Sequence, residues 1–316
     1  MIETSDPKPE LGQVVVRSHF MAVGKPDVLI RQGVYKWSPP LPASPGNELV
    51  GVIDSVGEGV DNFVPGQPVL LSARELDTRG GCYAELIAVP ATAIHALPDG
   101  IDLEHAVVLP TYLVAYAMLY GLGIVTVANS IFITGAAGSI ASALTDLAKA
   151  RGIEVIGSVS SIAKEDYASS LGVDHIINYK KVPILRSVLD ITDGRGVDAS
   201  FDHVIGDVFV DCIRMLGDFG VAVAYNQFSP LPEKDVFNEL RNLSIRSLSI
   251  RTFNIHTYDR DLEKLRLMTR NLIKLLRAKK IRPRIGMRLP LSEAAEAHRL
   301  LESGKILGKI ILTAHD

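Results

Sequence analysis

Short apolar runs punctuated by glycine and proline fill the first hundred positions. Gln13–Val16, Leu49–Val56, Pro68–Leu71 and Tyr83–Val89 read as strands, with breaks at Pro45-Gly46, Gly57–Gly59 and Gly80-Gly81. From about 103 the rhythm changes. The pattern predicts a helix over 103–120, an apolar strand at Ser130–Thr134, and an amphipathic helix with Ile140, Leu144, Leu147 and Ala148 on one stripe. A strand at Glu154–Gly157, a helix over 161–171, and strands at His175–Ile177, Val197–His203 and Val221–Tyr225 follow. Strands alternating with helices predict a parallel sheet covered on both faces. Residues 259–280 read as one basic amphipathic helix. Arg284–Leu289, Ser292–Ser303 and Gly308–Thr313 then return to strand, helix and strand. The fold class is α/β. A β-rich domain over 1–108 and 276–316 encloses a doubly wound parallel-sheet domain over 109–275.

One stretch competes with that reading. No charged side chain lies between Ala106 and Thr145, and Val107–Ala128 is long enough to cross a bilayer. Pro110 and Thr111 interrupt its start, Gly121 and Gly123 break its end, and no basic flank or aromatic belt follows. A buried helix feeding a buried strand gives the same apolar density. The expectation is a chain without a membrane span. The polar start, MIETSDPKPELG, lacks a basic-then-apolar leader, which points to the cytoplasm. With 47% hydrophobic and 22% charged residues the 316-residue chain is neither disordered nor fibrous. Two cysteines, Cys82 and Cys212, cannot build a disulfide framework or a four-thiolate zinc lobe.

The informative chemistry follows Ile131-Phe-Ile-Thr134. Gly135-Ala136-Ala137-Gly138-Ser139-Ile140-Ala141 is a tight turn of small residues between a strand and a helix. Such a turn brings backbone N–H groups to an anion at the helix N-terminus. The full dinucleotide fingerprint has three glycines; here Ala136, Gly138 and Ala141 are small enough for the same approach. The competing reading is a plain strand-to-helix turn with no cofactor. An NAD site needs an acid at the end of the next strand, about 20 residues on. That strand instead ends Gly157-Ser158-Val159-Ser160-Ser161, with Lys164 one helical turn later. A hydroxyl and an ammonium suit a 2′-phosphate, so the expected cofactor is NADPH. Ser160 and Ser161 also suit N-capping of the helix that follows.

These residues carry a resemblance. The sequence is similar to the zinc-independent quinone oxidoreductases (zeta-crystallin-like) of the medium-chain dehydrogenase/reductase superfamily. The likeness runs in order through Arg31-Gln-Gly33 with Tyr35, Pro45-Gly46-Asn47-Glu48, Val56–Val60, Gly66, Gly81–Glu85, the Ala136–Ala141 turn, Ser160–Lys164, Leu171–Tyr179, Gly196-Val-Asp198 and Gly308-Lys309. It implies a GroES-like catalytic domain, a Rossmann domain and a homodimer built through the Rossmann domains. By position it makes Ser160, Lys164 and Tyr179 contacts of the adenosine phosphate, and it adds Asn226, Gln227 and Lys309 to the cofactor set. The sequence starts at a point matching the segment Asp6–Pro9, after a strand with which the family's catalytic domain opens. The family's active-site Asn and Tyr fall on Gly24 and Leu29, and its nicotinamide-facing Thr falls on Val114. Only Tyr35 keeps a hydroxyl, as a proton donor or carbonyl contact, against the reading of a packing tyrosine. So apolar a pocket argues against a quinone as natural substrate and leaves hydride transfer to an electron-poor double bond in a small molecule intact.

No metal is expected. The eight histidines show no H-x-x-x-H spacing, and His19, His95, His105 and His203 read as surface or core-edge residues. Between Arg241 and Arg288 lie 14 basic and 3 acidic residues, leaving 19 and 33 elsewhere. A nucleic-acid surface, an acidic carrier protein, a coenzyme A thioester or a solvated helix face would each fit such a run. Without aromatic interleaving over 259–288 it offers single-stranded RNA no stacking platform, so nucleic acid is the poorer fit. A late strand at Ile245–Ile250 is expected at the sheet edge, where pairing with a second copy would bury Ile245, Leu248 and Ile250. Arg246 and Arg251 could instead guard that edge. A weakly catalytic NADPH-sensing relative is the remaining alternative.

Overall fold

The computed structural model describes residues 3–225 and 231–314. Its strands are β1 (Gln13–Val23), β2 (Glu48–Val56), β3 (Pro68–Ser72), β4 (Leu86–Pro90), β5 (Ile94–Ala96), β6 (Ser130–Ile133), β7 (Glu154–Val159), β8 (His175–Asn178), β9 (Val197–Asp202), β10 (Leu216–Tyr225), β11 (Ser249–Phe253), β12 (Ile285–Pro290) and β13 (Lys309–Thr313). Two compact units emerge, Met1–Pro110 with Leu262–Asp316, and Thr111–Asp261.

The first unit is built on a seven-stranded sheet, β12-β13-β1-β2-β3-β5, with β4 also paired to β1. β1 extends to Val23, seven residues past the expected end, because it changes partner along its length. Gln13–Arg17 pair with β4 and Phe20–Val23 pair with β13. Bulges between Val15/Val16 and Ser18/Phe20 break the alternation that would have marked one continuous strand. Val14, Val16, Met21, Leu49, Val69, Leu71 and Ile310 fill its core. The helix Leu262–Arg277, expected in the nucleotide domain, belongs to this unit. Its Leu265, Met268, Leu272 and Leu276 are buried, and Arg266 Nε sits 2.8 Å from Glu75 Oε2.

The second unit is the Rossmann domain. Its six strands are all parallel, in the order β11-β10-β9-β6-β7-β8. Phe132 on β6 and Phe201 on β9, one register step apart and so on opposite faces of the sheet, are fully buried. Each contributes on the order of 2–3 kcal/mol by leaving water. The expected single helix over 103–120 is broken into Leu103–Ala106, Leu109–Tyr116 and one π turn at Ala117–Gly121. Pro110 explains the restart, since its ring and missing N–H fit only the first turn of a helix. Among the described residues no helix is long and apolar enough to cross a membrane.

The expected edge strand is displaced. β11 begins at Ser249, while Ser244–Arg246 form a 3₁₀ turn and Ser247 is left-handed at φ 54°. Ile245 is fully exposed outside the strand, and Leu248 packs against the domain core. Arg246 guards nothing; its Nη1 donates to the Leu216 carbonyl at 2.6 Å. β11 itself is the edge, paired only to β10 among the described residues.

Candidate functional site

β6 delivers the chain to Gly135 at φ +61°, where an L side chain would be strained and would strike His203. The turn then closes by Gly138 N–H donating to the Gly135 carbonyl at 2.8 Å, and Ala136 N–H donating to the Ser158 carbonyl at 2.8 Å. Gly138 is the N-cap of the helix Ser139–Lys149 and no side chain caps it. The first-turn N–H groups of that helix, including those of Ser139 and Ile140, therefore have no intrahelical partner and bear the positive end of the helix dipole. Gly138 and Ser139 are exposed, Ala137 and Ile140 are half-buried, and Ala136 is buried with its methyl against Gly157. The five residues named from the sequence, Ala136 to Ile140, thus lie together on one strand-to-helix turn.

Ser160 and Tyr179 lie side by side just beyond the carboxyl ends of β7 and β8, where Tyr179 N–H donates to the Val159 carbonyl at 3.1 Å. The Tyr179 ring is 44% exposed with Lys180 Nζ 5.4 Å from its centroid. Ser161 occupies the N-cap of the helix Ile162–Ser170, but its side chain makes no capping bond, contrary to the expected N-capping role. Lys164, on the first turn, has no ion pair among the described residues. The adjacent carboxylate is engaged elsewhere: Glu165 accepts from Asn178 Nδ2 and from Lys181 Nζ at 3.1 Å, which lowers its pKa. Asn226 and Gln227 lie outside the described residues.

Lys309 and Tyr35 belong to the first unit. Lys309 opens β13, is only 6% exposed, and its Nζ stands 2.9 Å from Glu48 Oε2. A Cβ added at Gly24 would lie 3.7 Å from that ammonium. Next to it is a carboxyl that sequence reasoning passed over. Asp27 is fully buried, accepting from Gly24 N–H at 2.7 Å and Asn47 Nδ2 at 2.6 Å. Burial raises its pKa to about 6. Its signal was local, an acid three residues after the helix N-cap. Tyr35 is half-buried in the coil after the helix Lys25–Arg31, its ring 5.5 Å from Trp37.

His203, expected at a surface or core edge, is half-buried there, its ring against Gly135 and 5.8 Å from that of Tyr225. Cys82 and Cys212 are buried thiols, and among the described residues no cluster of three metal-ligating side chains exists. Much of the basic run is absorbed by the fold: Arg266 pairs with Glu75, Arg288 with Glu104 at 2.5 Å, and Arg246 binds a carbonyl. Arg270, Lys274, Arg277, Lys279 and Lys280 are exposed.

Residues 10–99 match the alcohol dehydrogenase GroES-like domain and residues 171–312 the zinc-binding dehydrogenase family. A quinone oxidoreductase of Pseudomonas aeruginosa is 30% identical over 314 residues, 98% of this chain and 93% of that protein. The synaptic vesicle membrane protein VAT-1 homolog of Danio rerio is 28% identical over 326 residues, 99% of this chain but 66% of that protein. Escherichia coli quinone oxidoreductase complexed with NADPH has a TM-score of 0.84 at 25% identity, covering 99% of this chain and 94% of that one. An NAD-dependent alcohol dehydrogenase (TM-score 0.85, 28% identity, 99% and 95% covered) and a 2-haloacrylate reductase (0.80, 26%, 99% and 94%) share the fold. Fold and likeness together define a medium-chain dehydrogenase/reductase. Within that superfamily the chain belongs to the quinone oxidoreductase-like family, a family of oxidoreductases.

Proposed function

We propose that this chain is an NADPH-dependent, metal-independent reductase that delivers a hydride to an electron-poor carbon of a small molecule, such as an enone, an enoyl group or a quinone. One observation carries the reading: the uncapped helix N-terminus at Gly138 lies in the same sheet-end constellation as Ser160 and Lys164, which has no ion pair among the described residues. Backbone N–H groups of Ser139 and Ile140 would receive the diphosphate, with Ala136 and Ala137 keeping the turn small. Ser160, Lys164 and Tyr179 would hold the adenosine end and its 2′-phosphate. A carboxylate there would repel that phosphate, and Glu165 is already committed to Asn178 and Lys181. Asn226, Gln227 and Lys309 complete the proposed cofactor set.

NADPH, when bound, supplies the hydride. The protein's part is to hold and orient both reactants and to exclude water. A zinc would require a donor cluster, and Cys82 and Cys212 are buried in different cores. Tyr35 is proposed as proton donor or carbonyl contact. Gly24, Leu29 and Val114 favour an apolar substrate with few hydrogen-bonding groups. The likeness to quinone oxidoreductases and to a 2-haloacrylate reductase supports the double-bond class. NADPH oxidation measured against a panel of enones, enoyl thioesters and quinones tests this reading; no turnover with any member would leave a binding protein without the activity.

A homodimer through the Rossmann domain is part of the proposal. Four of the five β11 residues are exposed, and an edge strand offers unpaired backbone groups to a second copy. Sedimentation at micromolar concentration should give twice 34.2 kDa; a monomer contradicts it.

A further inference from the structure

Strand order reverses between β6 and β9. The chain runs outward from β6 through β7 to β8, then returns to β9 and runs through β10 to β11. In such a sheet, ligands sit outside the carboxyl ends of the two strands at the reversal. Gly135 leaves β6 at that point, and His203 leaves β9. The two residues touch: a Cβ on Gly135 would stand 2.7 Å from His203 Cε1 and 3.4 Å from Nε2.

The imidazole is oriented by a chain of hydrogen bonds. Thr134 Oγ1 donates its one proton to the buried Asp202 Oδ1 at 2.8 Å. Toward His203 Nδ1, 3.3 Å away, the same oxygen can then only accept. Asp202 is itself held by the N–H groups of Val204 at 3.0 Å and Ile205 at 2.7 Å. Ile205 has φ +62°, a costly conformation for a β-branched residue that secures this loop to Asp202. The arrangement makes Nδ1 the protonated nitrogen. Nε2 carries the lone pair and has no partner among the described residues.

We infer that His203 belongs to the dinucleotide site, its Nε2 taking up a proton from solvent and donating to the diphosphate as the cofactor binds. This rests on the proposed NADPH reading and extends it to a residue outside the glycine turn. In the free protein, burial holds the imidazole below its ordinary value against the opposing pull of Asp202, so it is neutral near pH 7. The groups facing it are few. β9 brings Asp202, β10 brings Tyr225, whose phenol burial keeps protonated, and the helix Asp207–Arg214 brings the buried Cys212 thiol behind them. β6 brings only Thr134 and Gly135. The first ionisable residue of the helix Ser139–Lys149 is Asp146, bonded to the Tyr112 hydroxyl at 2.8 Å. Residues 226–230, Asn-Gln-Phe-Ser-Pro, carry no ionisable side chain. A diphosphate on the turn would thus be the dominant new charge, and it favours the imidazolium.

The test is NADPH affinity of the wild-type protein and of His203→Gln between pH 6 and 8.5, followed by ligand fluorescence. Taking the ratio of the two affinities cancels titration of the 2′-phosphate itself. The ratio should be near one at pH 8.5 and rise steadily as pH falls, favouring the wild type by at least about twofold at pH 6, since only a bound imidazolium gains from the diphosphate. A ratio constant across pH overturns the inference alone, and no NADPH binding by either protein overturns the underlying reading as well. A second readout needs no variant. Calorimetric titration of wild type with NADH at pH 7, in two buffers of different ionisation enthalpy, should show net proton uptake; zero uptake or release overturns it.

Discussion

Gly157 on β7 faces the methyl group of Ala136 so closely that a Cβ at position 157 would stand 2.6 Å from Ala136 Cβ and 3.2 Å from Val173 Cγ1. The turn that offers N–H groups to an anion is thus seated against bare backbone. Gly157→Val should lower stability by about 1–3 kcal/mol, seen as a fall in Tm, and weaken NADPH binding by displacing the turn. Unchanged stability and affinity would mean the contact is not rigid.

Lys164 is expected to select the phosphorylated cofactor. Lys164→Ala should weaken NADPH by at least about tenfold, roughly 1.4 kcal/mol, and leave NADH nearly unchanged. Equal loss for both, read by competitive titration, would remove Lys164 from the 2′-phosphate.

The buried carboxyl of Asp27 makes a pH-dependent contribution with a definite sign. Its pKa rises from 3.8 to about 6 on folding because burial penalises the carboxylate. Its stabilising contribution is therefore full below pH 3.8 and is withdrawn as pH rises through 6. Relative to wild type, Asp27→Asn should gain stability between pH 4 and 7, by up to about 3 kcal/mol. Denaturant unfolding across that range checks it; a pH-independent difference contradicts the assignment.

What the sequence made legible was set by local periodicity. The Rossmann strands and the Gly135–Ile140 turn follow from apolar runs ending in small residues, and the place of Ser160 after β7 and of Lys164 on the next helix follows from their spacing. β1 was foreshortened because its partner changes at a bulge, which no periodicity records. The strand read at Ile245–Ile250 begins instead at Ser249, since the left-handed Ser247 ends a 3₁₀ turn that an Ile-x-x-Leu-x-Ile pattern mimics. The burial of Asp27 and the contact of His203 with the glycine turn were not legible for one reason. Each side chain's environment is assembled from distant segments, Asn47 in one case and Gly135 in the other.

The basic helix is expected to matter to folding. Glu75 is 1% exposed and lies between His95 Nε2 at 2.5 Å and Arg266 Nε at 2.8 Å. Arg266→Leu leaves that carboxylate short of a cation and should cost about 3 kcal/mol by chemical denaturation. A loss below about 0.5 kcal/mol would place Arg266 among ordinary surface charges.

The most direct measurement is titration of the purified chain with NADPH and, in parallel, NADH, followed by nucleotide fluorescence. Saturable binding at micromolar NADPH, with NADH at least about tenfold weaker, is the expected result. No saturable binding of either nucleotide, or NADH bound as tightly as NADPH, would contradict the account.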